Sequence, residues 1–408
     1  MSSTPSTPSA PATRGSVLEV FLAFLRLGFT SFGGPIAHLG YFREAFVVRR
    51  RWIDEAAYAD LVALSQFMPG PASSQVGFSL GVLRGNGLAG GFAAWAAFTL
   101  PSAILLFLFA LTATLFVHPA AEGVLHGLKL VAVAVVAQAV WGMARSLTPD
   151  PTRATIALTA VAAVVFIGGA AGQLMAIAGG ILAGLLLCGD APPAPQGTLR
   201  FPVSAKSGVV ALVLFFLLLF GLPLAAWSTG SDALALFEAF YRAGALVFGG
   251  GHVALPLLEA GTVAAGRIDA DAFIAGYGAT QAVPGPLFTF AAYLGALVQP
   301  GPDGLAGATI ALVAIFLPGL LLVYGMLPFW DTLRTRQWAQ SGLRGANAAV
   351  VGILGAALYD PIWTSAVLDP VDFLLALAGF VLLTAWQAAP WIVVLGLAAA
   401  SALKAVAW

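Results

Sequence analysis

Several uninterrupted apolar stretches, each long enough to cross a lipid bilayer, constrain the fold of this chain more than any other feature. A helix needs about 20 apolar residues to span a hydrocarbon core about 30 Å thick. Stretches of this kind run over 88–117, 123–146, 207–227 and 341–359. Only 9% of the 408 residues are charged, against about 25% in soluble domains. The sequence therefore predicts an all-α polytopic membrane protein whose solvent is the lipid bilayer.

Residue usage argues against several classes of function. The formal net charge is zero, so nothing supports nucleic-acid binding. The single cysteine, Cys188, rules out an intrachain disulfide and any multi-cysteine metal or redox site. The chain has neither the nucleotide-binding pattern G-x-x-x-x-G-K-[ST] nor the zinc pattern H-E-x-x-H. We therefore expect no enzyme activity, no cofactor and no bound metal, and we expect transport driven by an existing gradient.

The second half of the chain repeats the first at an offset of 215 to 217 residues. The first matching block pairs six residues: Phe24 with Phe240, Arg26 with Arg242, Gly28 with Gly244, Phe32 with Phe248, Gly33 with Gly249, and Gly34 with Gly250. Later blocks keep the same order: Ser65-Gln66 with Thr280-Gln281, "PGP" 69–71 with "PGP" 284–286, and "GLK" 127–129 with "GLR" 342–344. Collinear matches that include Arg, Gln and PGP indicate a duplication rather than a coincidence of apolar composition.

The duplication divides the chain into five parts. They are a disordered tail over 1–16, a first copy over 17–188, a Pro-rich cytoplasmic linker over 189–206, an extra transmembrane helix with a short loop over 207–231, and a second copy over 232–408. If each copy crosses the membrane an even number of times, one extra crossing between them inverts the second copy.

The distribution of positive charge supports this inversion. In the first copy, the connection 145–153 carries Arg145 and Arg153, and the connection 118–122 carries no Lys or Arg. In the second copy the equivalent of 118–122 carries Arg334 and Arg336. Because Lys and Arg concentrate in cytoplasmic loops, the sequence predicts two inverted repeats.

Each copy also contains apolar segments that helix-breaking residues interrupt. Residues 17–32 extend for only about 24 Å as a helix, which is short of the bilayer core. We therefore predict that 17–50 forms a hairpin that turns at "SFGGP", and that 58–81 forms a second hairpin that turns at "PGP". Irregular backbone is tolerated at membrane depth only where protein buries it or where it lines a cavity. Four crossings follow in the first copy, near 88–117, 123–146, 153–168 and 170–188.

The breaks predict an anion-binding site. A helix start offers unpaired N–H groups and a partial positive charge, and glycine lets a ligand approach the backbone. The predicted substrate-binding backbone comprises Gly33, Gly34, Pro35, Pro69, Gly70 and Pro71 in the first copy, and Gly249, Gly250, Gly251, Pro284, Gly285 and Pro286 in the second. The alternative is that these Gly and Pro residues only kink or pack membrane helices.

Several side chains join the predicted site. The cations Arg26, Lys129, Arg242 and Arg344 lie within apolar stretches, and no matched acidic pair lies at the same depth, which favours an anionic substrate. Headgroup snorkelling is the alternative for Lys129 and Arg344. The polar residues Ser65, Gln66, Thr280 and Gln281 either donate to an oxyanion or bond neighbouring helices. His38 and His252 either contact the anion, carry a coupling proton or have a structural role.

The quoted blocks resemble a known family. "FLRLGFTSFGGPIAHLGYFREAFVVRRRWID" and "LSQFMPGPASSQVGFSLG" are similar to the chromate ion transporter family, and "FGGGHVALPLLE" with "TQAVPGPLFTFAAYLG" is similar to its second domain. The resemblance covers 17–188 and 232–405, as in a long, two-domain member. It implies export of chromate, a tetrahedral dianion like sulfate, across the bacterial inner membrane, and hence chromate resistance.

The sequence leaves several alternatives open. A carrier of sulfate or another oxyanion, an anion channel and a non-transporting membrane subunit all fit the same patterns. A saturable antiporter differs from a channel in its dependence on a counter-substrate. The sequence also leaves open the coupling ion, the direction of transport and the oligomeric state, a homodimer included.

Overall fold

The computed structural model describes residues 15–32, 34–85, 87–113, 119–189, 201–248, 251–333 and 336–407. All regular secondary structure in these ranges is helical, which confirms the predicted all-α class. The predicted tail up to residue 14, and residues 190–200 of the predicted linker, lie outside the described residues.

The first copy contains eight α-helices within the described ranges. They are α1 (Val17–Thr30), α2 (Gly34–Phe42), α3 (Glu55–Phe67), α4 (Ala72–Arg84), α5 (Leu88–Ala113), α6 (Pro119–Leu147), α7 (Pro151–Ile167) and α8 (Gly169–Leu187). A π-helical turn, Arg43–Arg49, extends α2. Asp54 accepts a hydrogen bond from Ala57 N–H at the start of α3 and is a helix cap.

The extra helix and the second copy continue the series. The extra helix is α9 (Ala205–Thr229), followed by α10 (Asp232–Leu246), α11 (Ala254–Thr262), α12 (Ala270–Thr280), α13 (Phe290–Leu297), α14 (Gly304–Met326), α15 (Trp330–Leu333), α16 (Gln337–Ala357), α17 (Thr364–Ala366), α18 (Pro370–Thr384) and α19 (Pro390–Ala407). Because α9 extends to Thr229, only residues 230 and 231 separate it from α10.

The chain crosses a membrane several times. Among the described residues, five helical segments are long and apolar enough to span a bilayer: Leu88–Thr112, Glu122–Leu147, Ala205–Thr229, Gly304–Phe329 and Gln337–Ala366. α7 and α8 coincide with the two remaining crossings predicted in the first copy, and their 17 and 19 residues give lengths of about 25 and 29 Å.

The predicted breaks are present in both copies. α1 ends at Thr30 and α2 begins at Gly34, which has a φ of +78°. Between α3 and α4, Gly70 has a φ of +122°, and Gly285 has a φ of +106° at the equivalent turn of the second copy. Both glycines have backbone angles that a side chain would strain. That the arms on either side fold back as hairpins remains a prediction.

The two copies exchange their last helix pairs. α6 of the first copy packs against α18 and α19 of the second, and α16 of the second packs against α7 and α8 of the first. Small residues allow these close contacts, as between Gly127 and Ala398 and between Gly184 and Gly345. Neither copy therefore completes its own packing.

Charged side chains strengthen one of these two interfaces. His126 Nε2 on α6 lies 3.0 Å from Asp372 Oδ2 on α18. Lys404 Nζ on α19 lies 2.7 Å from Asp372 Oδ1, and the Asp372 side chain is 1% exposed. At the position equivalent to His126, the other interface has Ser341, which donates to Cys188 O.

Within each copy, the first helix crosses the first long span at a matched glycine. A Cβ atom at Gly28 on α1 would lie 2.7 Å from Ala97 O on α5. A Cβ atom at Gly244 on α10 would lie 2.0 Å from Ile315 O on α14. The two crossings are equivalent positions of the duplication, so both copies use one backbone contact to position their first break.

We expect Gly244→Ala to destabilise the protein. The added methyl group meets a backbone oxygen, which cannot rotate away, and overpacking of this kind costs about 1–3 kcal/mol. The measurement is the apparent melting temperature of purified protein in detergent. Gly221→Ala on α9 is the matched control, because its Cβ meets no atom within 4 Å. Equal melting temperatures for the two variants would contradict the assigned α10–α14 contact.

Candidate functional site

The breaks of the two copies are joined to each other by backbone hydrogen bonds. Gly70 N–H in the first PGP turn donates to Val247 O at the first break of the second copy, at 2.7 Å. Gly285 N–H in the second PGP turn donates to Ser31 O at the first break of the first copy, at 2.9 Å. The duplication relates the two bonds, so each PGP turn satisfies a carbonyl of the opposite copy.

The PGP turns also contact the long spans α5 and α14, each beside the proline inside that helix. A Cβ atom at Gly70 would lie 3.0 Å from Gly319 Cα on α14, and one at Gly285 would lie 2.7 Å from Ser102 Oγ on α5. Gln75 Nε2 donates to Pro69 O at 2.9 Å and to Gly319 O at 3.1 Å. The interrupted segments of both copies therefore converge on one place.

A buried histidine lies at the break of the first copy. His38 on α2 is 0% exposed. Its Nε2 lies 3.2 Å from Ser31 O, and its Nδ1 lies 3.4 Å from Ser73 Oγ on α4. The His38 ring also meets the Phe98 ring edge-on, with centroids 5.2 Å apart. These contacts bring the first turns of α2 and α4 together around one imidazole.

The start of α4 has the properties of an anion site. Its N-cap residue, Pro71, makes no side-chain capping hydrogen bond. Ser73 and Ser74 occupy the first turn, both at most 3% exposed. Ser74 Oγ is buried without a hydrogen-bond partner among the described residues. A Cβ atom at Gly34, where α2 begins, would meet no atom within 4 Å, so there is space beside this helix start. Unpaired N–H groups and hydroxyls at converging helix starts favour an anion.

The second copy lacks these polar side chains. Its residues at the positions of Ser31, His38, Ser73, Gln75, Ser79 and Thr99 are Val247, Ala254, Phe288, Phe290, Leu294 and Phe316. Thr289, equivalent to Ser74, uses its hydroxyl to donate to Pro286 O at 2.7 Å. The backbone of the breaks and PGP turns, which we call the frame, is therefore duplicated. The polar side chains that line this frame belong to the first copy.

The predicted polar pairs at the end of the third helix of each copy have unequal environments. Ser65 and Thr280 are buried, and Thr280 Oγ1 donates to Tyr277 O at 2.6 Å. Gln66 is exposed, whereas Gln281 is half-buried and its Nε2 lies 3.3 Å from Thr280 Oγ1. The bonds of Thr280 and Gln281 are therefore local rather than interhelical.

His252 and the remaining predicted positions lie at or beside the breaks. His252 Nδ1 lies 2.5 Å from the Tyr277 hydroxyl oxygen, so its partner is on α12. Pro35 is half-buried in the first turn of α2, and Pro71, Pro284 and Pro286 are buried in the PGP turns. Gly251 opens a 3₁₀ turn before α11. Gly33, Gly249 and Gly250 lie outside the described residues.

The predicted cations are more fully paired than the sequence indicated. Arg242 Nε lies 3.1 Å from Glu238 Oε1, one turn earlier on α10. The position equivalent to Glu238 in the first copy is Leu22, and Arg26 lies on the exposed face of α1 with Leu22 and Phe29. An i,i+4 neighbour therefore supplies Arg242 with an acidic partner. Because Leu22 replaces Glu238 in the first copy, this partner is not part of a matched acidic pair.

Lys129 also has an acidic partner, from the other copy. Its Nζ lies 2.5 Å from Asp271 Oδ1 on α12. The pair lines a cavity of about 480 Å³ together with Glu122, His126 and Asp269. None of the residues that line this cavity belongs to the breaks. Arg344, the equivalent of Lys129, is half-buried on α16.

Sequence reasoning missed the hydroxyl and amide groups of α4. Ser73, Ser74, Gln75 and Ser79 are all buried. The available signal is the polar run "ASSQVGFS" directly after the first PGP, which the second copy replaces with "LFTFAAYL". The polar side chains at the candidate site are therefore indicated by a sequence difference between the two copies and not by their similarity.

Comparison with known proteins agrees with the duplication. A family model described as chromate transporter matches residues 18–185 and again residues 234–402. A chromate transport protein of Pseudomonas aeruginosa is 29% identical over 93% of this chain and 90% of its own length. A probable chromate transport protein of Synechococcus elongatus is 29% identical, over 84% of both chains. A chromate transport protein of Cupriavidus metallidurans is 27% identical over 83% of this chain and 81% of its own length. No solved structure matches the chain significantly.

We expect Gly70→Ala to lower the apparent melting temperature much more than Gly87→Ala. Both glycines have positive φ, +122° and +97°, so both alanines suffer backbone strain. Only the Gly70 methyl group also meets neighbours, 2.8 Å from Gln75 Nε2 and 3.0 Å from Gly319 Cα. The difference between the two variants therefore reports the packing of the PGP turn against Gln75 of its own copy and Gly319 of the other. Equal losses would show that this turn is not held there.

Proposed function

The chain belongs to the chromate transporter family, and we propose that it carries chromate across the bacterial inner membrane as a secondary transporter. The observation that carries this proposal is the convergence of the α2 and α4 starts beside buried Ser73 and Ser74. The relatives whose names specify chromate transport support the substrate. Among the described residues, no group of His, Cys, Asp and Glu side chains could hold a metal.

Neutral donors suit a transported dianion. Backbone N–H groups and hydroxyls stabilise the charge through hydrogen bonds and the helix dipole. They do so without a permanent counter-charge in contact with the substrate, so the anion can also leave. Sulfate has the same shape and charge as chromate, and these donors offer it the same contacts. We therefore treat sulfate as the competing substrate.

In this proposal, the inverted arrangement of the two copies gives the site access to each side of the membrane in turn. The proposed inversion places 189–206 in the cytoplasm and 228–231 outside, with the breaks near the bilayer midplane, as in other transporters with inverted repeats. The change of sides in the positive charge supports this topology. Export of chromate, with resistance as its result, is the direction that the family resemblance implies.

We expect saturable uptake of radiolabelled chromate into proteoliposomes, competitively inhibited by sulfate. Ser74→Ala removes a buried donor and raises KM about tenfold or more, because a hydrogen bond to a charged group contributes about 1.5–3 kcal/mol. Ser146→Ala is the control, since Ser146 is exposed on α6 and donates to Gly142 O in its own helix. Non-saturating flux would indicate a channel. Absence of flux for both anions would contradict the proposal.

Arg26 and Arg242 are proposed to attract the anion toward the breaks. Each lies about one turn before a break. An arginine in an apolar arm is costly unless a partner or a solvated cavity compensates, and Glu238 already compensates Arg242 in part. We expect Arg26→Gln and Arg242→Gln to abolish chromate transport at unchanged protein level. Arginine-to-lysine variants should weaken it, because they keep the charge and lose the planar donor fork.

The matched control is Arg145→Gln. Arg145 is an exposed cation whose guanidinium carbon lies 5.7 Å from the centre of the Trp141 ring. We expect this variant to transport like the wild type. Wild-type anion affinity in both the Arg26→Gln and Arg242→Gln proteins would show that these two arginines serve structure only. The attracting cations would then have to be sought at Lys129 and Arg344.

A further inference from the structure

The hydrogen bonds of His38 define which of its two ring nitrogens carries the hydrogen of the neutral imidazole. A carbonyl oxygen can only accept, so Nε2, 3.2 Å from Ser31 O, must carry a hydrogen. In a neutral imidazole the other nitrogen is then an acceptor. Nδ1 therefore accepts from the Ser73 hydroxyl across 3.4 Å.

This arrangement commits the only hydrogen of the Ser73 hydroxyl. With that hydrogen directed at His38, the Ser73 oxygen presents lone pairs to its other neighbours. Lone pairs at the first turn of α4 repel an anion. When His38 is protonated, Nδ1–H donates to Ser73 Oγ instead, and the hydroxyl hydrogen becomes free to donate to a ligand at the helix start.

We infer that His38 and Ser73 form a proton-linked switch, which binds one proton together with one oxyanion at the start of α4. This inference rests on the proposed oxyanion transport. A proton from solvent forms an N–H bond at Nδ1, and the Ser73 hydroxyl rotates so that its hydrogen points to an oxyanion oxygen. No bond between heavy atoms forms or breaks. By reciprocity the proton tightens anion binding, and the anion promotes protonation by the same factor.

The surroundings of His38 leave the anion as its counter-charge. Its described hydrogen-bond and ring contacts are Ser31 from α1, Ser73 from α4 and Phe98 from α5, none of which is ionised. From α3, the neutral Tyr58 hydroxyl donates to Leu39 O, next to His38 on the same helix.

Two charged residues near the end of α2 and the start of α3, Arg43 and Glu55, pair with each other. Arg43 Nε and Glu55 Oε1 lie 2.7 Å apart and are about half exposed. From the second copy, Gly285 contributes only its N–H, to Ser31 O. A protonated His38 in this environment is therefore best stabilised when the dianion is bound.

The second copy supplies an internal comparison. Its residues at the positions of His38 and Ser73 are Ala254 and Phe288, so it cannot form the switch. Its own histidine, His252, lies against the Tyr277 hydroxyl, with no serine at the corresponding place. Proton linkage should therefore depend on one histidine, although the fold is duplicated.

The test is calorimetric titration of the purified full-length protein with sodium selenate, a tetrahedral dianion that stays unprotonated between pH 6 and 8. Titrations in Pipes and in Tris, which differ in ionisation enthalpy, give the number of protons taken up. We expect about one proton per selenate in the wild type. We also expect affinity to rise about tenfold per pH unit lowered while His38 is neutral in the free protein.

Two variants separate the switch from general pH effects. His38→Gln keeps a donor for Ser31 O and an acceptor for Ser73, and should bind selenate with no proton uptake and no pH dependence. His252→Gln, whatever its effect on affinity, should still take up about one proton. Ser73→Ala keeps the imidazole but removes the hydroxyl, and should gain less affinity than the wild type between pH 8 and pH 6.

The possible outcomes distinguish the two proposals. Selenate binding without proton uptake in the wild type would overturn the switch and leave oxyanion binding intact. The same holds for undiminished uptake in His38→Gln. Failure of the wild type to bind selenate, sulfate or chromate would instead overturn the proposed function. Should His38→Gln not fold, the wild-type proton count and the Ser73→Ala pH series still decide the question.

Discussion

Two crossed backbone hydrogen bonds, from Gly70 N–H to Val247 O and from Gly285 N–H to Ser31 O, are the interactions on which the rest of the structure depends. A helix break within a bilayer exposes backbone groups that lipid cannot satisfy, at a cost of several kcal/mol each. Here each copy satisfies a break of the other. The exchange of α7 and α8 for α18 and α19 across the copies extends the same dependence to the helices outside the breaks. The centre of the protein therefore exists only when both copies are folded together.

The frame is symmetric in its backbone and asymmetric in its side chains. Matched glycines at 28 and 244 position the first helix of each copy, and matched PGP turns contact the opposite break. Upon this frame the first copy places Ser73, Ser74 and His38, whereas the second places phenylalanine, threonine and alanine. A duplicated frame can move as two related halves, and a one-sided lining agrees with the single site that we propose. Both properties suit a carrier that presents one anion alternately to two sides of a membrane.

The sequence predicts the parts of the fold that local composition decides. The apolar spans, the duplication and the breaks at "SFGGP" and "PGP" all follow from apolar length, glycine and proline. It does not predict contacts between distant segments. The pairing of Gly70 with Val247, the exchange of helix pairs and the partner of Lys129 depend on tertiary packing. Glu238 was within reach of sequence reasoning, since it precedes Arg242 by one helical turn, but the comparison of copies hid it because Leu22 replaces it.

The central claim is that an oxyanion binds at the converging helix starts of the first copy. The most direct measurement is a diffraction experiment on crystals of the protein with selenate, with data collected at the selenium absorption edge and methionine left as the sulfur form. The account predicts one anomalous peak per chain within hydrogen-bond distance of the Ser73 and Ser74 hydroxyls, and none at the equivalent start of α13. A peak beside Lys129 and Asp271, or matched peaks in both copies, would contradict it.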